Sequence, residues 1–366
     1  MMFKLFRNVK GRLGRLAIRV KANKPLRNVY FVTEETDWVI RREGEYIIQQ
    51  ARQSFPNIAC ILTTEYTGLE QQLIHFGSLW TFIGGGYQVH KTNRVVVTIF
   101  HGDKFGTDPN LRQGIITFCQ HLKKIDTVVT ASSIMHQRLL TWGVPADKIK
   151  VIPLGADLSI FRLPSPEQHH TQRQRLGIPE KSICIGSFQK DGNGWAEGLE
   201  PKLIKGPDIF VETVRKLADR YPIFVLLTGP ARGYMKRNLE EAGIPYRHEY
   251  VQHPNQLASY YHCLDLYLIT SREEGGPKAL LECMATGVPL VSTHVGMAPD
   301  IIVNDVNGFL VDVENINALV TSAVELIENS TLREAFIKAA LQTVRAYHTP
   351  ELAKRYCEQV YRPLLS

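Results

Sequence analysis

Two glutamates eight positions apart, Glu274 and Glu282, flank a glycine-rich turn and the start of a predicted helix. Gly275-Gly276-Pro277 is typical of a turn that opens a helix, because proline is favoured at the first helical position. The backbone N–H groups of Lys278 and Ala279 would lack helical partners there, and the helix dipole favours an anion. Glu282 follows three to four residues later, so it falls on the same face of the helix as Lys278 and Ala279. This set predicts a site for a nucleotide-diphosphate sugar, with one carboxylate at the rim and one bridging the ribose diol.

A plainer interpretation of the same residues stays open. The glutamates could be solvated helix charges, and the glycines could form an ordinary loop between a strand and a helix. The flanking pattern is clearer, because apolar runs at 264–269 and 289–293 predict strands on both sides. Gly287, followed by Pro289, predicts the end of the helix between them.

The first half of the chain alternates predicted strands and helices. Buried strands are predicted at 28–34, 58–64, 95–102, 127–132 and 150–155, and helices at 43–55, 69–76, 110–124 and 133–142. This alternation predicts a doubly wound parallel sheet. His101 follows the third of these strands, at the carboxyl edge where such sheets bind ligands. A structural role for a lone histidine at a strand end also remains open.

A second alternating set begins after residues 164–182, which are rich in proline, glutamine and histidine and are predicted to link two domains. Strands are predicted at 183–188, 223–229 and 246–251, before the motif described above, and helices from Pro207 and at 233–242. Helices at 314–328, 331–348 and 351–361 follow, with a break at Pro350. The predicted units are a basic segment (1–24), a first domain (25–163, completed by 351–366) and a second domain (164–350).

Composition excludes several classes of protein. A chain of 366 residues with 44% apolar and 22% charged residues suits two globular domains, and no apolar run is long enough to span a membrane. Six scattered cysteines without a C-x-x-C pair predict buried, reduced thiols and a cytoplasmic protein. The net charge of +7 comes from residues 1–24, which contain eight lysines and arginines and no acid. No nucleic-acid partner is therefore predicted.

The basic segment 1–24 has a helical pattern of large apolar residues. Phe3, Phe6, Val9, Leu13, Leu16 and Val20 recur at helical spacing between the basic side chains. This pattern is typical of a helix that lies on an anionic membrane surface, which predicts peripheral binding to the inner face of a membrane. A basic helix packed on the protein's own surface is the alternative.

The motif at 274–291, EGGPKALLECMATGVPLV, resembles the E-x7-E signature of retaining glycosyltransferase family 4, which has the GT-B fold. Further segments resemble the family in the same order, at 129–161, 203–217, 253–271 and 304–311. The resemblance implies two Rossmann-like domains that face each other across a cleft, with a C-terminal helix that crosses back to the first domain. It also implies sugar transfer, with retention, from a nucleotide-diphosphate sugar to an acceptor hydroxyl in glycan, polysaccharide or glycolipid synthesis.

The resemblance also assigns roles to individual residues. Catalytic roles fall on His101, Lys205 and Glu274; donor binding falls on Gly186, Lys190, Lys205, Glu274, Gly275, Gly276, Lys278, Ala279 and Glu282. Lys205-Gly206 matches the family's Lys-Gly pair, whereas Ser187 stands where the family has an arginine. Lys190 is expected to replace that arginine as a point charge. Neither a metal nor another cofactor is expected.

Two loops depart from the family pattern. Residues 33–46 lack its glycine-rich turn and are expected to contact either the donor or the acceptor, which could be linked to a lipid. Residues 191–202 form an unusually long loop with no assigned role. Two other functions remain possible: a GT-B-type nucleotide-sugar epimerase, and a catalytically silent protein that binds nucleotide sugars.

Overall fold

The structure, a computed structural model, describes residues 27–35, 39–106, 108–194 and 196–365. The predicted membrane-binding segment 1–24 lies outside the described residues, as do Thr36, Asp37 and Trp38 in the loop at 33–46. Among the described residues, no helix is long and apolar enough to cross a membrane. All six cysteines are unpaired, and all but the half-buried Cys119 are buried.

The first domain is built on a six-stranded parallel sheet with the spatial order β2-β1-β3-β4-β5-β6. Its strands are β1 (Val29–Val32), β2 (Cys60–Thr63), β3 (Leu73–Phe76), β4 (Arg94–Thr98), β5 (Thr127–Thr130) and β6 (Ile149–Val151). Its helices are α1 (Val39–Ser54), α2 (Leu79–Ile83), α3 (Pro109–Gln120) and α4 (Ser133–Thr141). The runs of valine and isoleucine in the central strands are buried, because helices cover the sheet on both faces.

The prediction of a helix at 69–76 is wrong. Residues Leu73–Phe76 form strand β3, which pairs with β1 on one side and β4 on the other. All four of its residues are buried, so the strand reads as a short continuous apolar run. Such a run shows no alternation by which to distinguish it from a buried helical turn.

The second domain contains another parallel sheet of six strands, with the order β12-β11-β10-β7-β8-β9. Its strands are β7 (Ile183–Phe188), β8 (Ile223–Thr228), β9 (Tyr246–Glu249), β10 (Leu266–Ile269), β11 (Leu290–Thr293) and β12 (Phe309–Val311). Its helices are α5 (Pro166–Arg175), α6 (Pro207–Ala218), α7 (Gly233–Glu241), α8 (Leu257–Tyr261), α9 (Lys278–Thr286), α10 (Ala298–Ile301), α11 (Ile316–Glu328) and α12 (Ser330–Thr343).

Helix α5 lies within the segment 164–182. Ser165 caps its first turn in a capping box with Gln168. The buried Arg173 then binds Asp265 at 2.8 Å, which ties the helix to the second sheet.

The C-terminal helices α13 (Thr349–Tyr356) and α14 (Arg362–Leu365) return to the first domain, with a wider helical turn at Cys357–Tyr361 between them. Two backbone hydrogen bonds join Ala156 to Tyr347 and Thr349 at the crossing. Beyond it, Leu352, Tyr356, Val360 and Tyr361 share a hydrophobic core with Val29, Phe31 and Ile47 of the first domain. The predicted fold, with two facing α/β domains and a helix that crosses back, is confirmed.

Candidate functional site

The anion cradle predicted from the sequence lies at the start of helix α9. The helix begins at Lys278, one residue later than predicted, because Pro277 has an extended backbone and is the N-cap residue. Gly275 in the preceding loop packs against the first domain: a Cβ atom there would lie 2.6 Å from Cβ of Phe100. Only glycine permits this approach, so Gly275 brings the loop against the segment that follows β4. At the other end, Gly287 has a φ of +71° and terminates the helix.

Lys205 and Glu274 form an ion pair at the entrance to this cradle. The Lys205 Nζ atom lies 2.6 Å from Oε1 of Glu274, which also accepts a hydrogen bond of 2.9 Å from Ser271. Gly206 makes this geometry possible, because its φ is +62° and a Cβ atom would lie 1.9 Å from the carbonyl oxygen of Thr270. The pair therefore joins the loop before α6 to the loop before α9.

Glu282 lies one turn inside α9 and is buried. Its Oε2 atom accepts a hydrogen bond of 2.7 Å from the hydroxyl of Tyr261. Burial raises the pKa of Glu282, although the positive charge of Lys278 and the Tyr261 hydroxyl oppose this shift. The carboxylate is thus held in one orientation towards the cleft.

Lys278 binds a residue of the opposite domain. Its Nζ atom lies 2.5 Å from Oε1 of Glu43 in helix α1. Burial disfavours the charge, but Glu43 and Glu282 outweigh it, so the pKa of Lys278 is raised and the side chain stays cationic.

A cleft of about 1070 Å³ separates the two domains at the carboxyl edges of their sheets, large enough for a nucleotide sugar. The predicted donor-binding residues that line it are Lys190, Lys205, Glu274, Gly276, Lys278, Ala279 and Glu282. Helix α1 of the first domain contributes Arg41, Arg42 and Tyr46 to the opposite wall. The structure therefore brings seven of the nine predicted donor-binding residues to one cavity.

Gly186 does not line this cavity. It lies within strand β7, where a Cβ atom would be 2.4 Å from Cδ1 of Leu264 and 2.8 Å from a ring carbon of Tyr267. Its requirement for glycine is explained by packing against these side chains. The cleft wall begins two residues later, at Phe188.

His101 lies in the loop after β4 and keeps access to solvent. Although the residue is exposed, the protein atoms around the imidazole exclude part of its water, which lowers its pKa. Lys205 lowers the pKa further, while Glu274 and Glu273 oppose this shift. The ring is therefore neutral at pH 7. His101 lies outside the lining of the cavity, yet within electrostatic reach of the Lys205–Glu274 pair.

Glu273 is an interdomain contact that the sequence analysis missed. It accepts a hydrogen bond of 3.1 Å from Nη2 of Arg138 in α4, and one of 3.3 Å from the backbone N–H of Gly102. Arg138 also donates to the carbonyl of Gly102 at 2.9 Å. These bonds hold the loop that carries His101 against the second domain.

Two family models match the chain. The model described as Glycosyltransferase Family 4 matches residues 39–160, and the model described as Glycosyl transferases group 1 matches residues 199–343. Together they cover both sides of the cleft. The chain belongs to glycosyltransferase family 4.

Curated relatives resemble this chain over different lengths. A D-inositol 3-phosphate glycosyltransferase from Xylanimonas cellulosilytica is 31% identical over 185 residues, which are 47% of this chain and 41% of the relative. A protein of the same name from Corynebacterium urealyticum is 27% identical over 59% of this chain and 51% of its own length. The chain thus spans about half the length of these curated relatives.

The crystal structure of Anabaena Alr3699/HepE in complex with UDP-glucose has the same fold. It superposes with a TM-score of 0.73 at 15% identity, covering 92% of this chain and 99% of that one.

One position departs from the family 4 pattern. Ser187 lies at the end of β7, where the family has an arginine, and its hydroxyl accepts a hydrogen bond of 2.9 Å from Nη2 of the buried Arg232. The guanidinium group of Arg232 is therefore present near this position. It belongs to the residue that precedes α7 and lies beneath the loop at 191–202. No group of histidine, cysteine, aspartate and glutamate side chains within the described residues could hold a metal ion.

Proposed function

We propose that this protein transfers a sugar from a nucleotide-diphosphate sugar to an acceptor hydroxyl, with retention of configuration at the anomeric carbon. The observation that carries the proposal is the Lys205–Glu274 pair, which lies beside the open start of α9 in an interdomain cleft. Cations and free backbone N–H groups suit a diphosphate, and carboxylates suit the hydroxyls of two sugars.

As the donor reacts, negative charge grows on the diphosphate. The bond between the anomeric carbon and the phosphate oxygen breaks, the acceptor oxygen bonds to that carbon, and a diphosphate oxygen takes the acceptor proton. Lys205, Lys190 and the N–H groups of Lys278 and Ala279 stabilise the negative charge without a metal or another cofactor.

The carboxylates have binding roles in this proposal. When the donor binds, one of its phosphates replaces Glu274 as the ion-pair partner of Lys205. The carboxylate of Glu274 then accepts hydrogen bonds from the sugar hydroxyls. Glu282 binds the ribose, and the neutral imidazole of His101 contacts the sugar from the first domain. Neither glutamate acts as the acid or the nucleophile of a glycosidase.

A thermal-shift panel of UDP-, GDP- and ADP-glucose tests donor binding and selects the base. UDP-glucose is the first probe, because Alr3699/HepE is known in complex with it. Release of free nucleotide diphosphate is then measured with and without acceptors, beginning with an inositol phosphate in view of the relatives' names. Transfer requires release that depends on the acceptor. Conversion of the donor sugar without an acceptor would indicate an epimerase, and binding without turnover a silent binding protein.

We also propose that residues 1–24 bind an anionic membrane, which would place a cytoplasmic enzyme at the inner face of a membrane, near a lipid-linked acceptor. The support is the sequence alone: eight basic residues with an apolar helical stripe. The full chain should sediment with anionic liposomes at low salt and dissociate as salt rises, whereas a chain lacking 1–24 should remain in solution and still bind its donor. Failure of the full chain to bind anionic vesicles at low salt would refute this proposal.

A further inference from the structure

Three lysines converge on one wall of the cleft: Lys190, Lys202 and Lys205. Lys205 is paired with Glu274 at 2.6 Å, whereas the Lys202 side chain makes no hydrogen bond or ion pair with any described residue. Partial burial lowers the pKa of Lys202, and the charges of Lys205 and Lys190 lower it further, while Glu274 and Asp108 oppose this shift. Like charges on neighbouring side chains repel one another. An anion bound between the lysines would therefore reduce their electrostatic repulsion.

Lys202 reaches this position through the loop at 191–202, which closes on itself next to Lys190. The backbone N–H of Lys202 donates to the carbonyl of Asp191 at 2.7 Å, and Gly192 forms an antiparallel bridge with Pro201. The N–H of Asn193 donates to the carbonyl of Glu200 at 2.8 Å. These bonds join the two ends of the loop, so the residue before the loop and its last residue become spatial neighbours.

The far part of the loop is docked on the start of helix α7. The carbonyl of Glu197 accepts a hydrogen bond of 2.6 Å from the N–H of Gly233, and that of Gly198 accepts one of 2.9 Å from Tyr234. Gly198 has a φ of +72°, and a Cβ atom there would lie 2.3 Å from the carbonyl oxygen of Ala231. The loop thus caps a helix with its own backbone, which fixes it in place.

A buried ion pair lies beneath the loop. The carboxylate of Asp191 and the guanidinium of Arg232 are 3.1 Å apart, and their side chains are 1% and 0% exposed. Arg232 also donates to the carbonyls of Ser187, Gln189 and Thr228, so one cation ties the end of β7 to the end of β8. A buried charge requires specific partners. The contacts of Asp191 and Arg232 therefore also fix the position of the adjacent Lys190.

We infer that Lys202 is a further diphosphate-binding residue, that it acts with Lys190, and that Asp191 and Arg232 are the positioning residues that hold the two lysines together. The inference rests on the proposed function, since it names how this chain binds the diphosphate of its donor. Lys202 lies outside both motif positions at which the family resemblance implies a cation. The long loop therefore supplies a charge where the chain has Ser187 instead of arginine.

The test uses the full-length chain and the substitution Lys202→Ala, with Lys181→Ala as the control. Lys181 is an exposed lysine just before β7, at the edge of the sheet away from the cleft. Calorimetry compares UDP with uridine, or the corresponding diphosphate and nucleoside if the thermal-shift panel selects another base. Each titration is repeated at two salt concentrations.

Loss of Lys202 should weaken UDP binding by about tenfold to a hundredfold and leave uridine binding unchanged, because a charge-assisted hydrogen bond to phosphate is lost. The salt dependence of UDP binding should also decrease, and Lys181→Ala should change neither. Unchanged UDP affinity, or an equal loss for uridine, would overturn the inference while leaving the proposed function intact. A wild-type chain that binds no nucleotide diphosphate would instead refute the proposed function, and the inference with it.

Asp191→Asn tests the positioning role. This substitution should lower the affinity for UDP towards that of Lys202→Ala. The double variant should have the same UDP affinity as whichever single variant binds UDP less tightly. Additive losses in the double variant would show that Asp191 acts on the donor independently of Lys202. If Asp191→Asn does not fold, the diphosphate role of Lys202 is still decided by the Lys202→Ala comparison.

Discussion

Glu43 in the first domain and Lys278 in the second form an ion pair across the cleft, with Oε1 and Nζ 2.5 Å apart and side chains only 11% and 20% exposed. The pair places a first-domain carboxylate on the lysine at the start of α9. It therefore couples the relative position of the two domains to the site at which the donor phosphates are proposed to bind.

Replacement of Glu43 by glutamine should lower the free energy of unfolding by roughly 1–3 kcal/mol, because a largely buried cation loses its charged partner. Urea denaturation followed by fluorescence measures this loss. Glu45→Gln, on the exposed side of the same helix, is the matched control and should change stability by much less. Equal stability of the two variants would contradict an energetic role for the interdomain pair.

Substitution of Lys205 by alanine should lower kcat/KM by a factor of about 10²–10³, if its charge meets negative charge that grows in the transition state. The effect should appear mainly in kcat, measured by steady-state release of nucleotide diphosphate. A rise in KM with an intact kcat would mean that Lys205 binds the ground state and the transition state equally.

His101→Ala should reduce turnover more than it reduces the affinity for free nucleotide diphosphate. The reason is that His101 belongs to the first domain, lies within electrostatic reach of the Lys205–Glu274 pair and is proposed to contact the sugar instead of the diphosphate. Calorimetry with the diphosphate and turnover with the complete donor separate the two effects. A parallel loss in both would place His101 at the diphosphate instead of the sugar.

Acid should destabilise the fold through His75, whose pKa burial lowers from 6.5 to about 3. Its ring nitrogens form hydrogen bonds with the hydroxyls of Tyr361 at 2.7 Å and Thr98 at 2.8 Å, and complete burial disfavours the charged, protonated ring. The unfolded chain binds a proton near pH 6.5 and the folded chain does not. His75 therefore contributes stability above pH 6.5 that is lost as pH falls towards 3, at up to about 1.4 kcal/mol per pH unit.

Denaturant titrations of wild type and His75→Gln between pH 7.5 and pH 5 measure this contribution. The variant should be less stable at pH 7.5 but should lose less stability on acidification. Carboxylates that titrate below pH 5 contribute to both proteins alike. Parallel pH profiles would rule out His75 as the source of the acid sensitivity.

The start of α9 could be predicted from the sequence because its determinants are local. A proline just before the first turn, a glycine just after the last turn and two glutamates at a fixed spacing all lie within one short stretch. The contacts of Glu43 and Glu273 could not be predicted, since their partners lie 235 and 135 residues away and no local pattern marks them. The sequence does not predict strand β3 for a related reason: burial on both faces depends on neighbours that are distant in the chain.

The return of the C-terminal helices has a consequence for biosynthesis. The sheet of the first domain is translated early, but Leu352, Tyr356, Val360 and Tyr361 complete its hydrophobic core. The hydroxyl of Tyr361 also satisfies the buried ring of His75 in the central strand β3. During translation, all strands of the second domain are synthesised before the residues that complete the core of the first domain. The domain made first is thus the one completed last, and its apolar surface must be kept from aggregation while the ribosome makes the other.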